Sequence, residues 1–183
     1  MATSSVTASF VIEPLSSEHG RLAFTCGVAA LDRYLQVQAG QDARRRIANC
    51  FVAVPSPVLS PRSSDAPQKA TVIAGYYTLS AAGIPIVDLP PEQTKRLPRY
   101  PVLPTALIGR LAVDRRFAGR SLGAALIFDA IQRVARADPA VFALIVDAKN
   151  DRAAAFYSHF GFTPFAGAPL RLFLPMATAV SLL

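Results

Sequence analysis

From Thr105 to Val134 the chain reads TALIGRLAVDRRFAGRSLGAALIFDAIQRV: an apolar run, a basic turn carrying glycine, and a second apolar run. "TALIGRLAVD" is apolar at nearly every position, as expected of a central strand buried on both faces. Leu122, Leu126, Ile127, Ala130, Ile131 and Val134 then recur at helical spacing, with Asp129 and Arg133 as an outward pair one turn apart. A helix start presents unpaired N–H groups and a partial positive charge, so it receives phosphate readily. Gly119 and Gly123 would let backbone approach a ligand closely, and Arg115, Arg116 and Arg120 add full charges. The turn lacks the Gly-Lys-Ser/Thr ending of a Walker loop. It also lacks the spacing and the acidic residue of the dinucleotide fingerprint. On these residues alone it either holds an anion or is an ordinary solvated connection.

The remaining segments suggest a mixed α/β layer. "ASFVIEPL" reads as a first strand ended by Pro14. The spacing of Leu31, Leu35 and Val37 suggests a helix from Val28 to Arg46. "RIANCFVAV" is a strand, and "PSPVLSPRSSDAPQK" is a mobile loop at about 55–69 within a single domain spanning 1–183. "ATVIAGYYTLSAAGIPI" is a strand bent near Gly75 or Gly83. A helical turn follows Pro90. "VFALIVDA" is a second buried strand. Asn150 stands where an N-cap belongs, opening a helix that runs to about Phe160. "FGFTPF" and "LRLFLP" close the chain as two strands. Strands adjacent in sequence imply a mostly antiparallel central sheet flanked by helices.

Composition narrows the class. An apolar fraction of 52% with 17% charged residues is globular rather than disordered. No apolar stretch approaches the roughly 20 residues of a membrane span. "MATSSVTASF" lacks the features of a secretory signal, so the cytoplasm is the default location. Cys26 and Cys50 make no metal spacing and read as two buried free thiols; no metal site is expected. Nineteen Lys and Arg against twelve Asp and Glu give a net charge of +7. That balance fits nucleic acid, an acidic cofactor, an acidic partner, or merely a GC-rich coding bias.

Two segments together carry a resemblance. Arg116-Phe117-Ala118-Gly119-Arg120-Ser121 resembles the Arg/Gln-x-x-Gly-x-Gly/Ala turn of the GNAT acetyltransferase superfamily, with Ser121 where Gly or Ala is usual. "NDRAAAFYSHFGF" is similar to its Asn-x-x-Ala-x-x-x-Tyr…Gly-Phe pattern through Asn150, Ala153, Tyr157, Gly161 and Phe162. The resemblance implies a GNAT fold with acetyl-CoA as cofactor. Leu111, Ala112 and Val113 would hold the pantetheine arm through their backbone, and the Val113 amide would serve the oxyanion. Arg115 to Gly123, including Leu122, would receive the pyrophosphate, with Asn150 and Phe156 also at the cofactor. Tyr157 would stand at the general-acid position, facing the leaving sulfur. An ordinary phenol lies about 2 kcal/mol uphill of a thiol as a proton donor, so hydrogen bonding counts as much as proton transfer. Read without the motif, Tyr157 is a core aromatic between Phe156 and Phe160.

"LDRYLQVQAGQDARRR", "AGYYTLS", "KRLPRYPVLP", "LIGRLAVDRRFAG" and "LFLP" resemble, more narrowly, the GNAT toxins of bacterial toxin–antitoxin pairs. That likeness implies acetylation of the α-amine of aminoacyl-tRNA and a block of translation. It also implies a ribbon-helix-helix antitoxin as partner, with a homodimer possible. Arg44, Arg45, Arg46, Lys95, Arg96, Arg99 and Arg171 would be phosphate contacts on tRNA, although Arg44 to Arg46 also suit a helix C-terminus. No obvious base emerges: Asp147 is the foremost carboxylate, though capping the next turn explains it equally well, and His19 and His159 read as structural or solvated. An α-amine is roughly a tenth neutral at pH 7, whereas a lysine costs about 4.6 kcal/mol to deprotonate. This favours an α-amine acceptor. The alternatives are a transferase for a small amine or protein N-terminus, and an acyl-CoA-binding regulator without turnover.

Overall fold

The computed structural model describes residues 10–56, 71–95, 97–98 and 100–183. Its strands are β1 (Phe10–Pro14), β2 (Asn49–Pro55), β3 (Gly75–Pro85), β4 (Val102–Val113), β5 (Ala143–Asp147), β6 (Thr163–Phe165) and β7 (Ala168–Pro175). They form one mixed sheet in the order β1-β2-β3-β4-β5-β7-β6. β1 pairs antiparallel with β2, and β7 antiparallel with both β5 and β6. β4 and β5 run parallel. A parallel pair needs a crossover, which α4 (Leu122–Ala135) supplies. The predicted loop at 55–69 lies, beyond Ser56, outside the described residues.

The chain divides into two units, Met1–Tyr77 with Arg110–Leu126 and Thr78–Gly109 with Ile127–Leu183. In the first, Phe24, Leu35, Val52, Ile73 and Tyr76 build the core. The helix expected from Val28 to Arg46 is there, but as α1 (Ala29–Arg33), a π-helical turn over Tyr34–Gln38, and α2 (Ala39–Arg44). The wider turn shifts the inward face: Leu35 and Ala39 are fully buried, whereas Val37, expected inside, is 55% exposed. Asp42 is buried instead. Tyr34 Oη and Gln38 Nε2 each donate to its carboxylate at 2.8 Å, and these bonds, Gln38 first, hold the carboxyl below its ordinary range. β3 starts at Gly75, later than the expected strand; a Cβ there would press on the Ala112 carbonyl at 3.1 Å, so the close approach favours glycine.

In the second unit Ile84, Leu103, Ala143, Ile145, Phe165 and Phe173 form the core. α3 (Pro91–Thr94) is the helical turn expected after Pro90. β5 is buried through Val146, and Asp147 emerges exposed. Asn150 caps α5 (Asp151–Ser158), its Oδ1 accepting from the Ala153 amide at 2.9 Å. The helix stops short of Phe160. Its last turn tightens, with the Phe160 and Gly161 amides donating to the carbonyls of Tyr157 and Ser158, and Gly161 turns left-handed at φ +87. Arg133 Nε reaches Asp129 Oδ2 at 2.7 Å, the expected pair on α4. α6 (Met176–Ala179) ends the fold.

Candidate functional site

The end of β4 and the turn after it belong to the first unit. β4 pairs with β5 over Thr105–Ile108 only, so Leu111 to Val113 have no β5 partner among the described residues. The expectation of a strand covered on both faces is corrected here. Ala106, Ile108 and Ala112 are buried, but Leu107, Leu111 and Val113 are half-exposed and Gly109 is exposed. An apolar strand end with one open face and one free edge offers both hydrophobic contact and backbone hydrogen bonds to an extended ligand.

Beyond the strand, Asp114 is 0% exposed and caps a short helical turn over Arg115–Phe117. Its carboxylate accepts from the Arg116 amide at 2.9 Å, from Arg116 Nε and Nη2 at 2.9 Å each, and from the Thr25 amide at 3.0 Å. Burial raises this carboxyl's pKa, but the hydrogen bonds and the Arg116 charge outweigh it and hold the group below its ordinary range. Arg116 is thus engaged inward rather than standing as a free cation. Arg115 packs over Gly27, where φ is +87 and a Cβ would lie 2.4 Å from the guanidinium.

Gly119 and Ser121 both adopt left-handed backbone, at φ 75 and 56. A Cβ on Gly119 would meet nothing within 4 Å, so the space beside that backbone is open. Arg120 is exposed, its guanidinium 5.4 Å from the Phe117 ring. The Ser121 carbonyl accepts the Ala125 amide, which makes Ser121 the N-cap of α4. The first amides of α4, at Leu122, Gly123 and Ala124, therefore have no acceptor within the helix. A left-handed glycine beside open space, an exposed arginine and a free helix start are the parts a diphosphate needs.

The second unit holds Tyr157 on α5. The ring is 8% exposed and meets Phe156 and Phe162 edge-on. No group among the described residues hydrogen-bonds its hydroxyl. Burial alone pushes the phenol up to about 12. Asn150 is accounted for by its capping bond. Phe156 is half-buried and also meets Phe160, at 5.1 Å.

Comparison with known proteins decides the family. Residues 86–162 match the acetyltransferase (GNAT) family model. A probable toxin TacT of Sinorhizobium fredii is 30% identical, over 94% of both chains. A tRNA-acetylating toxin of Mycobacterium tuberculosis is 33% identical over 87% of this chain and 88% of its own. The chain belongs to the GNAT acetyltransferase family. Among solved structures of this family, AtaT complexed with acetyl-methionyl-tRNAfMet aligns with a TM-score of 0.80 at 28% identity, over 94% of this chain and 98% of that one. AtaTR bound with acetyl-CoA aligns with a TM-score of 0.77 at 27% identity, over 95% and 98%. AtaT bound to the C-terminus of the antitoxin AtaR aligns with a TM-score of 0.75 at 26% identity, over 96% and 98%.

Arg44, Arg45 and Arg46 are exposed at the end of α2, Arg46 with φ 58. Lys95 is exposed, and Arg96 and Arg99 lie outside the described residues. Arg171 sits 3.6 Å from Asp147, both half-exposed, a pairing worth little that a phosphate would displace. His19 is structural: Ser16 N donates to Nδ1, leaving Nε2 to bond Glu13. Cys50 is buried as expected and its thiol is pushed up to about 12, but Cys26 is only half-buried. The residue that sequence reasoning missed is Asp114. The available signal was an aspartate two positions before an arginine at a strand end, where Asp commonly bonds the amide two residues on. No helix among the described residues is long and apolar enough to cross a membrane.

Proposed function

We propose that this enzyme transfers acetyl from acetyl-CoA to the α-amino group of aminoacyl-tRNA and so arrests translation. The observation that carries the reading is the turn from Asp114 to Gly123, with Gly119 left-handed beside open space and a helix start behind it. Acetyl-CoA supplies an activated acyl group as a thioester. The amides of Gly119 to Ala124 and the Arg120 guanidinium would hold the diphosphate. The free edge of Leu111 to Val113 would take the pantetheine arm, with the Val113 amide placed to donate to the thioester oxygen.

Tyr157 is the donor to the leaving sulfur. With the phenol at about 12, complete proton transfer to a thiolate runs roughly 5 kcal/mol uphill. Tyr157 therefore acts by hydrogen-bonding the thiolate, and its proton stays on the phenol oxygen. The α-amine needs no strong base: roughly a tenth of it is neutral at pH 7, and the N–H proton it sheds on becoming an amide passes to solvent water as the thiolate leaves. Asp147, exposed and beside Arg171, serves the surface rather than the amine. Arg44, Arg45, Arg46, Lys95, Arg96, Arg99 and Arg171 contribute salt-sensitive phosphate contacts. The relatives support the acceptor and an antitoxin as partner; its ribbon-helix-helix class rests on the sequence resemblance alone. The substrate places the reaction in the cytoplasm, and the whole chain acts as one transferase domain.

The test is purified protein with acetyl-CoA and a panel of charged tRNAs, read by mass of the released aminoacyl group. N-acetylation of one or a few aminoacyl groups, weakening as salt rises, is expected. Acetylation of small amines or protein N-termini alone, insensitive to salt, overturns the acceptor. Coenzyme A binding with no thiol release from any amine overturns the enzyme.

A further inference from the structure

The turn read above as the diphosphate cradle is held by a segment far away in sequence. Thr25 N donates to Asp114 across 89 residues. The bond is returned: the Arg115 amide donates to the Thr25 carbonyl at 2.9 Å, and Arg116 Nη2 to the Ala23 carbonyl at 3.2 Å. The far side of the same loop is fixed by Asp32, which accepts from the Cys26 amide at 2.8 Å and from Thr25 Oγ1 at 3.0 Å. Ala23 to Cys26 and Asp114 to Arg116 are thus stitched together around one fully buried carboxylate.

From this network we infer that Asp114 is a positioning residue for coenzyme A, fixing the entry of the turn so that its amides stand ready for the diphosphate. Asp114 is fully buried and would act through the backbone and Arg116 rather than by touching the ligand. It orients Arg116 through the amide, Nε and Nη2 together, and cancels that residue's charge, which leaves the attraction for an anion to Arg120 and the start of α4. A site made of backbone amides binds well only when those amides are aligned in advance, because alignment on binding is subtracted from affinity. The inference rests on the reading that the Gly119 turn receives the diphosphate.

The test is Asp114→Asn against wild type. Coenzyme A binding is measured by calorimetry, and turnover with acetyl-CoA is compared with turnover on S-acetylpantetheine, which lacks the diphosphate. Weakened coenzyme A binding, on the order of tenfold, is expected, with a much smaller change in kcat/KM for S-acetylpantetheine. Unchanged binding overturns the inference. So does tighter binding, which would mean that the released Arg116 cation grips phosphate directly. An equal loss with both donors overturns it too, since that is the mark of general damage to the fold. If Asp114→Asn does not fold, Arg116→Lys carries the same test: it keeps the charge but loses the paired donors, and a smaller loss confined to coenzyme A is expected. A wild-type protein that binds no coenzyme A overturns the function reading as well, whereas an unaffected variant of a binding-competent protein overturns the positioning role alone.

Discussion

The turn after β4 and the helix α5 hold their chemical groups by opposite means. Around Asp114 the organisation is ionic, with four donors on a carboxylate that has no contact with water. Around Tyr157 it is apolar, with aromatic edges on a phenol that no group among the described residues hydrogen-bonds. The first arrangement fixes backbone geometry, because hydrogen bonds are directional. The second sets a proton affinity, because desolvation penalises the phenolate. Damage to the turn is therefore expected to appear as lost binding or stability, and damage at Tyr157 as lost turnover.

The largest effect belongs to Tyr157→Phe. If Tyr157 is the hydrogen-bond donor proposed for the developing thiolate, its removal costs on the order of 10²–10³ in turnover, while affinity for coenzyme A by calorimetry stays within about twofold. Expression of the variant no longer arrests growth. The raised phenol adds a pH signature. Below about 12 the group keeps its proton, so between pH 7 and 10 the rate follows deprotonation of the acceptor amine and shows no falling limb from the phenol. A falling limb near pH 10 in wild type that disappears in the variant would mean that Tyr157 titrates as an ordinary exposed tyrosine. The contrast with the turn would then be lost.

Arg116→Ala tests the ionic side. Removing one partner of a buried pair leaves a charge uncompensated, at a cost of several kcal/mol. The half-exposed Arg116 side chain puts this case toward the low end, about 2 kcal/mol. The sign with pH follows from the depressed carboxyl of Asp114. Its stabilising contribution is fully present above the ordinary aspartate value of about 3.9 and is lost as pH falls through the lower folded value. Urea unfolding is therefore expected to show a wide gap between wild type and variant at pH 7 that narrows below about pH 4. A gap independent of pH would assign the loss to packing of the arginine stem and not to the buried charge.

The same contrast explains what the sequence could reveal. Apolar periodicity is local, so α4, β5 and the capped start of α5 at Asn150 were legible. The GNAT turn and the Asn…Tyr…Gly-Phe segment are short spacings and were legible too. Three features were not. The π turn at Tyr34–Gln38 moves Val37 outward, and a count of residues at helical spacing does not contain that shift. β4 is apolar at nearly every position, and composition does not distinguish a face packed on protein from one left half-open, as at Leu107 and Leu111. Asp114 looked like the last residue of a strand because its donor Thr25 lies 89 positions away. Arg116 looked like a free cation although Asp114 stands two positions before it, because spacing alone does not show that this carboxylate is buried; only its bond to the Ala23 carbonyl spans 93 positions.

The smallest expected effect is at Ser121, and it separates two roles within the turn. Gly119 and Ser121 both sit in left-handed backbone, but only one is glycine. A residue with a Cβ pays roughly 1–2 kcal/mol for that conformation, so Ser121→Gly raises stability by about 1 kcal/mol after allowing for the greater freedom of glycine in the unfolded chain. Gly119→Ala incurs the opposite strain and also puts a methyl group into the open space that would face a phosphate. If the turn is a preset cradle, Ser121→Gly raises the melting temperature and leaves coenzyme A affinity within about twofold, whereas Gly119→Ala lowers both. Tighter binding by Ser121→Gly than its added stability accounts for would mean that the serine side chain crowds the ligand. Weaker binding would mean that its hydroxyl had been donating to a phosphate oxygen.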